Sequence, residues 1–575
     1  MGARVSAQAS FFRKKQENEL SCRNCKEKEM LTDILELTKT LVRIRSVNGT
    51  AGEAEISKTI HSWFEDLPYF HKHPENLFFQ PIPGDTLGRG SVIALVEGTK
   101  NPSDRRTLLL HGHTDTVGTG DFGYLEKFCT DPDALAQHLK EAALPDDVKK
   151  DLESGDFLFG RGAVDMKSGD AVFMEILKYF STHPEELSGN LLGSFNPVEE
   201  NAHTGIITSL PLFLNLEKER GLSYIGAVNN DFTTRLFPGD DKVTLYTGAG
   251  GKILPCFYIR GKETHVGQPF EGLDASALAS ELLNILNLST VYADTGQGEM
   301  APPPSVLKLK DLKDFYNVQT AKEALIYFNY YVYEKDMPSI TEELLAAARK
   351  AGANLTEKLK KNHERFCRAN DLPFDSKVPG LKVMSYADLI MLSRQKGVLD
   401  ESALDRLTEE ELEKGTEKRE VPLALIRSLL DAIRFTDPVI VLYYAPPFVP
   451  HCRADRKDGG CGENLYEALA EAAAETGKET GQEFRILYYY PSLSDSSYLK
   501  IDDDTESLQC LKDSFPEFDR LSPLPLEDIQ ALDIPAINIG TYGSDAHKWT
   551  ERVNIPYTFG ILPKLEMALI RKLLG

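Results

Sequence analysis

The fold is decided by the stretch Thr107-Leu-Leu-Leu-His-Gly-His-Thr-Asp-Thr-Val117. Its first four residues are typical of a buried strand, and His113 and Asp115 follow almost directly. Polar side chains in this position lie at the carboxyl edge of a sheet, where open α/β sheets bind their ligands. A histidine with an aspartate two residues later suits a metal ligand and the carboxylate that orients its ring. A structural histidine at a strand end explains this stretch equally well, so other parts of the chain have to decide.

The composition is that of an acidic globular protein. The 575 residues are too many for one core and predict two or more domains. The balance of 65 basic against 88 acidic residues gives a net charge of −23, which argues against binding to nucleic acid or to an anionic membrane. Eight scattered cysteines fit a reducing compartment, and we find neither a secretory signal nor a bilayer-spanning stretch. We therefore expect a cytoplasmic protein that binds neither nucleic acid nor membrane.

Alternating helix and strand patterns predict an α/β fold in which a mostly parallel sheet has helices on both faces. This α/β domain is expected in two parts, 31–247 and 463–575. An enlarged α+β lid domain is expected between them, over 248–462. Residues 1–30 are predicted to be an extension, in which the myristoylation-like start Met1-Gly2 and the lone Cys22-Arg-Asn-Cys25 pair are weak signals.

Histidines and acids follow several predicted strands. They are His113, Asp165, Glu199, Glu200, Asp231 and His547. Imidazoles and carboxylates without a thiolate suit a catalytic zinc site, or manganese or cobalt as substitutes. A pair of ions needs one bridging carboxylate, together with an imidazole and a further carboxylate for each ion. Two histidines and three acids provide that set, and the remaining acid is free to act as a general base.

A GxGxxG pattern also occurs, as Gly118-Thr-Gly-Asp-Phe-Gly123. A dinucleotide-binding turn needs these glycines between a strand and an apolar helix, whereas a polar segment with a proline follows here. We interpret the pattern as a coincidence inside an unusual insertion, 118–154.

The order of the strand-end residues resembles the co-catalytic zinc family that includes aminoacylase, acetylornithine deacetylase, succinyl-diaminopimelate desuccinylase and carboxypeptidase G. Its HxDxV motif matches His113-Thr-Asp-Thr-Val117. The resemblance implies that Asp165 bridges two ions, that His113 and Asp231 complete one site, and that Glu200 and His547 complete the other. It also makes Glu199 the general base and Asp115 the residue that orients His113. Asp240 and Asp241 compete with Asp231 as the family's late acidic ligand.

The family's lid carries a motif that matches His265-Val-Gly-Gln-Pro-Phe-Glu-Gly272, with Asp274 in place of the usual asparagine. The resemblance implies that His265 polarises the scissile carbonyl, often in a neighbouring subunit's site, so a homodimer through the lid is expected. A GTDA-like loop of the family is matched in altered form by Ser494-Asp495-Ser496.

The long lid and the 118–154 insertion look like the RocB-type arginine-utilisation proteins, over about 31–575. The resemblance implies a hydrolase with two zinc ions that cleaves the amide bond of a small N-acyl amino acid or dipeptide-like substrate, with a role in arginine or ornithine catabolism. A metal-binding sensor or partner-binding protein without hydrolytic activity is the alternative. A serine hydrolase is set aside because the sequence has no GxSxG elbow.

Overall fold

The computed structural model describes residues 30–375, 378–454 and 460–575. The predictions made for the N-terminal extension, including its CxxC pair and myristoylation-like start, therefore lie outside the described residues.

The larger of the two main sheets has eight strands. In spatial order they are Leu77–Pro81, Gly90–Glu97, Asn190–Asn196, Arg106–His113, Ser223–Asn229, Ala536–Asn538, Val243–Tyr246 and Phe484–Leu487. Four of the seven neighbouring pairs are parallel, and the other three are antiparallel. Three strands at the centre of the sheet, Gly90–Glu97, Asn190–Asn196 and Arg106–His113, are almost continuously buried, which is typical of a sheet covered on both faces.

Alternate residues of the central strand pack on opposite faces of this sheet. Leu108 and Leu110 contact one apolar cluster, and Leu109 contacts another. The first cluster is built by helices 30–43, Gly52–Glu65, Pro68–Lys72, Ser168–Thr182, Cys461–Thr480 and Leu562–Leu574. The second is built mainly by helices Thr204–Arg220 and Leu526–Leu532. Helices therefore cover both faces, and the predicted α/β fold class is confirmed.

The second main sheet has five strands. In spatial order they are Ser305–Asp311, Glu323–Val332, Gly251–Arg260, Val439–Val449 and Lys382–Ser385. One face packs on helices Ala275–Leu286, Met337–Ala369, Thr505–Asp513 and Phe518–Leu521. The other packs on helices Tyr386–Gln395, Glu401–Glu413 and Val421–Ala432. This sheet therefore has its own core on each face.

A small third sheet departs from the expected layout. The strand predicted before Asp165 is Phe157–Phe159, and it pairs antiparallel with Arg552–Asn554 instead of joining the main sheet. Gly543–Ser544 completes this small sheet. The three residues of Phe157–Phe159 are followed by Gly160 and Gly162, so this strand leads into Asp165 from outside the eight-stranded sheet. This sheet joins the segment before Asp165 to the segment after His547.

The insertion 118–154 forms a 3₁₀ segment, Gly120–Phe128, and two helices, Pro132–Leu139 and Asp146–Ser154. The GxGxxG pattern thus leads into 3₁₀ turns and not into the apolar helix of a dinucleotide site. Across the described residues, no helix is both long and apolar enough to cross a membrane.

Candidate metal centre

The six predicted strand-end residues come from several different elements and loops. His113 ends the central strand, and Glu199 and Glu200 begin the short helix Glu199–Ala202. Asp165 lies in the turn Ala163–Lys167, and Asp231 follows the strand Ser223–Asn229 after one intervening residue. His113, the two glutamates and Asp231 thus lie near the carboxyl ends of neighbouring parallel strands, which meet at one edge of the sheet, whereas Asp165 reaches this edge from the small antiparallel sheet.

Asp165 lies at the middle of the group. Its Oδ1 is 2.9 Å from Nε2 of His113, and its Oδ2 is 3.0 Å from Nε2 of His547. The same His547 nitrogen is 3.1 Å from Oε2 of Glu200. One carboxylate thus has an imidazole on each oxygen, which is the arrangement needed by a carboxylate shared between two ions.

Two sets of donor atoms surround Asp165, and within each set the atoms all lie within 4.8 Å of one another. One set is His113, Asp165 and Asp231, and the other is Asp165, Glu200 and His547. Each set offers one imidazole nitrogen and two carboxylates, the donor types of a catalytic zinc site that keeps a position open.

The structure separates Asp231 from its competitors. Asp231 is buried beside His113 and Asp165. Asp240 instead accepts two hydrogen bonds from the guanidinium of Arg485, at 2.9 and 3.0 Å, while Asp241 is exposed. Because a bidentate arginine occupies both oxygens of Asp240, that residue has a structural partner already.

Asp115 holds the turn that carries the two glutamates. Its Oδ1 accepts a hydrogen bond from the backbone N–H of Glu199 at 2.9 Å, and its Oδ2 accepts one from Glu200 at 3.2 Å. Nδ1 of His113 lies 3.2 Å from the Asp115 carbonyl oxygen and 3.8 Å from its carboxylate. Asp115 therefore positions three neighbouring residues, and it contacts the His113 ring mainly through its own backbone.

Burial and the charge of neighbouring carboxylates raise the pKa values of three acids at the site. Burial raises the pKa of Glu199 well above its usual value, and burial together with the charge of Asp165 raises the pKa of Asp231 to about 8. Burial also raises the pKa of Glu200, although a hydrogen bond to His547 opposes this. Four carboxylates in one buried place therefore require compensating positive charge.

The pKa values of the two imidazoles are raised as well, which favours their charged form. Burial disfavours the charged ring of His113, but the carboxylates of Glu199 and Asp165 raise its pKa well above the usual value. Hydrogen bonds to Asp165 and Glu200 raise the pKa of His547 to about 10, although 49% of its side chain is exposed. Burial opposes ionisation of Asp165, yet hydrogen bonds from both rings lower its pKa.

These residues fit a pair of divalent cations. The donors are nitrogen and oxygen only, their spacing is close, and their combined negative charge is buried. In addition, Oε1 of Glu200 is buried without a hydrogen-bond partner among the described residues, as expected for an atom with a metal to bind.

A third cluster adjoins Glu199 and was not predicted from the sequence. Nδ1 of His203 lies 3.0 Å from Oδ1 of Asp495 and 3.5 Å from Oε1 of Glu199. The other Glu199 oxygen, Oε2, faces His113 at 4.0 Å. Asp495 lies in the GTDA-like loop that the sequence already singled out, and the four-residue spacing of Glu199 and His203 could have suggested a contact. The cluster therefore holds the glutamate between a buried ring and the donor atoms around Asp165.

His265 lies apart from these clusters. It is exposed, its Nδ1 accepts the backbone N–H of Gly267 at 3.1 Å, and it pairs with Gln319 in an isolated bridge. Within the described part of the chain, none of the three donor groups includes His265. The structure thus brings together every predicted site residue except His265.

This chain is similar in sequence and in fold to known proteins. Residues 109–556 match the model of peptidase family M20/M25/M40. Protein RocB of Bacillus subtilis (strain 168) is 36% identical over 533 residues, which are 92% of this chain and 93% of that protein. The uncharacterized protein YqjN of the same organism is 33% identical over 547 residues, 94% of this chain and 96% of that protein. A crystal structure of aminopeptidase PepT from Bacillus cereus covers 94% of this chain and 98% of its own, with a TM-score of 0.50 and 13% identity, and shows the fold alone.

The chain therefore belongs to peptidase family M20/M25/M40. It is a metallopeptidase-class enzyme that acts on carbon–nitrogen amide bonds, and the family resemblance predicted from the sequence is confirmed.

Proposed function

We propose that this protein hydrolyses the amide bond of a small N-acyl amino acid or dipeptide-like substrate, using two zinc ions or manganese or cobalt in their place. The observation that carries the proposal is the position of Asp165 between His113 and His547, with Glu199 beside His113. Metal-assisted hydrolysis by two ions requires a carboxylate that both ions share, and it requires a second carboxylate nearby that belongs to neither donor set.

In this proposal Asp165 is shared by two ions. His113 and Asp231 complete the first site, and Glu200 and His547 complete the second. Asp115 keeps the Glu199–Glu200 turn and the His113 ring in place. The close donor spacing within each set and the buried, unpartnered oxygen of Glu200 support this division.

Glu199 is proposed as the general base and later the general acid. When bound, the two ions polarise the substrate carbonyl and make water a stronger acid near neutral pH. Glu199 takes the proton of the attacking water and delivers it to the leaving amine. The Oε2 atom of Glu199 lies 4.0 Å from Nε2 of His113, so its carboxylate is close to the proposed ligands without belonging to either donor set.

His265 is proposed to stabilise the oxyanion of the substrate after the lid region meets a second subunit or closes on its own. Its loop is joined to the segment that carries Phe315, Tyr316 and Val318, whose side chains are all exposed. The neighbouring strand Ser305–Asp311 is an edge strand of the five-stranded sheet. An edge strand beside an exposed apolar patch is typical of an interface, so we propose a homodimer formed through this region.

Similarity to RocB over most of the chain supports a role in arginine or ornithine catabolism. The eight scattered cysteines support a cytoplasmic location for that role. We further propose that the catalytic domain comprises 31–247 and 463–575, with 248–462 as the lid.

A pair of glutamine variants tests the proposal. We expect E199Q to bind two ions and to lose turnover by a factor of about 10²–10⁴, the usual contribution of a general base. E200Q is the matched control at the next position, and we expect it to lose one ion. Loss of metal in E199Q, or undiminished turnover of any amide, would contradict the role of Glu199.

A further inference from the structure

Two buried arginines connect the 118–154 insertion to the segments that carry Asp165 and His547. Arg161 and Arg552 are each only 1% exposed. A buried guanidinium needs carboxylate partners, because a buried charge without a partner is strongly unfavourable. Arg161 has one carboxylate partner in the insertion and Arg552 has two, and each arginine has a further carboxylate partner beside a proposed ligand.

Arg552 forms the first connection. Its Nε donates to Oδ2 of Asp151 at 2.7 Å, and its Nη2 donates to Asp147 at 3.3 Å. Both aspartates belong to helix Asp146–Ser154 of the insertion. Its Nη1 donates to Oδ2 of Asp545 at 2.5 Å, two residues before His547. One guanidinium thus joins the insertion to the His547 loop.

The His547 loop needs such support because its backbone is strained. Asp545 has φ of 61° and His547 has φ of 65°, in the left-handed region that residues other than glycine rarely adopt. Such conformations persist only when surrounding contacts determine them. Asp545 supplies these contacts, since it also accepts hydrogen bonds from Thr550 at 2.8 Å and Lys548 at 3.0 Å.

Arg161 forms the second connection. Its Nη2 donates to Asp121 of the insertion at 2.8 Å, and its Nη1 donates to Oε2 of Glu551 at 2.7 Å. The other oxygen of Glu551 accepts the backbone N–H groups of Val164 and Asp165, at 3.2 and 3.4 Å. This chain of contacts ends on the backbone of the proposed bridging ligand.

Apolar packing accompanies both connections. Trp549 packs against the core of the insertion, which contains Phe122, Leu125 and Leu135. The insertion therefore supports the His547 loop with both charge and apolar surface.

We propose that the 118–154 insertion is a clamp that positions Asp165 and His547 and thereby raises the affinity of the ion site formed by Asp165, Glu200 and His547. The inference rests on the proposed function for its ligand assignment, but the contacts themselves do not. Residues that position metal ligands are each worth about 10- to 100-fold in metal affinity. The other site depends on the clamp only through Asp165.

Asp151→Asn in the full chain tests the clamp, with Glu153→Gln as the matched control. Both variants remove one negative charge from helix Asp146–Ser154. Glu153, however, faces solvent, and its one ion pair among the described residues is with Lys149 at 3.9 Å. Zinc affinity is measured by competition with a chelator. The site whose affinity changes is assigned by comparison with E200Q, which is expected to lose the ion held by Asp165, Glu200 and His547. Hydrogen exchange of residues 544–551 is measured on the metal-free proteins.

We expect D151N to weaken one zinc site by about 10-fold or more and to leave the other within about threefold. We also expect faster exchange at 544–551 in D151N and no change in E153Q. Equal affinities in D151N and wild type, or equal weakening of both sites, would overturn the clamp. If D151N fails to fold, Asp147→Asn, at an exposed partner of Arg552, decides by the same readouts.

The two proposals fail in different ways. Fewer than two ions in the wild-type protein would contradict the proposed metal centre. In that case hydrogen exchange of residues 544–551 in the metal-free proteins still shows whether the insertion holds the His547 loop, because this measurement requires no ion.

Discussion

Oδ1 of Asp165 lies 2.9 Å from Nε2 of His113, and the other oxygen of the same carboxylate lies 3.0 Å from a second imidazole, that of His547. These ligand candidates come from three distant parts of the chain. Asp165 is therefore the residue on which both proposed ion sites depend.

Asp165→Asn should disrupt both sites, because an amide offers one weak oxygen donor in place of two charged ones. We expect bound zinc to fall from two ions to one or fewer, and turnover to fall by about 10³-fold or more. Metal analysis and steady-state kinetics measure the two effects. Asp241→Asn removes an exposed carboxylate as a control and should change neither. Two tightly bound ions in D165N would contradict the bridging role.

His203→Gln should affect the general base without removing metal. Since His203 contacts Oε1 of Glu199 and is itself held by Asp495, its loss lets the Glu199 carboxylate rotate. We expect kcat to fall by about 10- to 100-fold, with KM and zinc content unchanged. Asp495→Asn should have a similar effect, and the double variant should lose little more than either one. Loss of an ion in H203Q, or additive losses in the double variant, would show that the cluster has another role.

The exposed position of His265 predicts activity in a mixed dimer. We expect H265A and E199Q each to be inactive alone. If His265 acts in the neighbouring subunit's site, a heterodimer of the two variants contains one site with both groups intact. Activity should then reappear on mixing and reach about one quarter of the wild-type value when subunits exchange at random. If mass spectrometry shows that the subunits have exchanged and no activity returns, His265 does not act across the interface.

Glu566 predicts a pH-dependent stability that is independent of metal. Burial raises its pKa well above 4.5, and neither carboxylate oxygen has a hydrogen-bond partner among the described residues. A raised pKa in the folded state means that stability is fully present below pH 4.5 and is lost as pH rises toward the folded-state pKa. The loss amounts to about 1.4 kcal/mol per pH unit.

We therefore expect Glu566→Gln to unfold at a higher denaturant concentration than wild type at pH 7–8, and to match it near pH 4.5 or below. Urea unfolding of the metal-free protein at several pH values measures this difference. The exposed Glu471→Gln is the control and should follow the wild type throughout. A constant difference at all pH values would show that burial of the Glu566 charge is not its cause.

The sequence predicted the parts of the site that depend on local patterns. A strand that ends in His113 and a pair of acids after another strand are recognisable because polar residues interrupt an apolar run there. The α/β class followed from the alternation of helices and strands. These features need no knowledge of which distant segments meet.

Contacts between distant segments could not be predicted in this way. His203 and Asp495 are 292 residues apart, and Arg552 and Asp151 are 401 residues apart. No pattern in the nearby sequence indicates either contact. Each contact depends on how the three-stranded sheet and the loop at 495 pack against the edge of the main sheet that carries His113. The antiparallel pairing of Phe157–Phe159 was missed for the same reason, since a three-residue strand carries too little pattern to identify its partner.

Turnover of a panel of N-acyl amino acids and dipeptides tests the central claim most directly. The protein is stripped with a chelator and then reconstituted with zinc, manganese or cobalt. We predict that at least one amide is cleaved, that cleavage disappears on stripping, and that it returns in full as two ions bind per chain. Two bound ions with no amide cleaved under any of the three metals would contradict the claim and favour a metal-binding sensor.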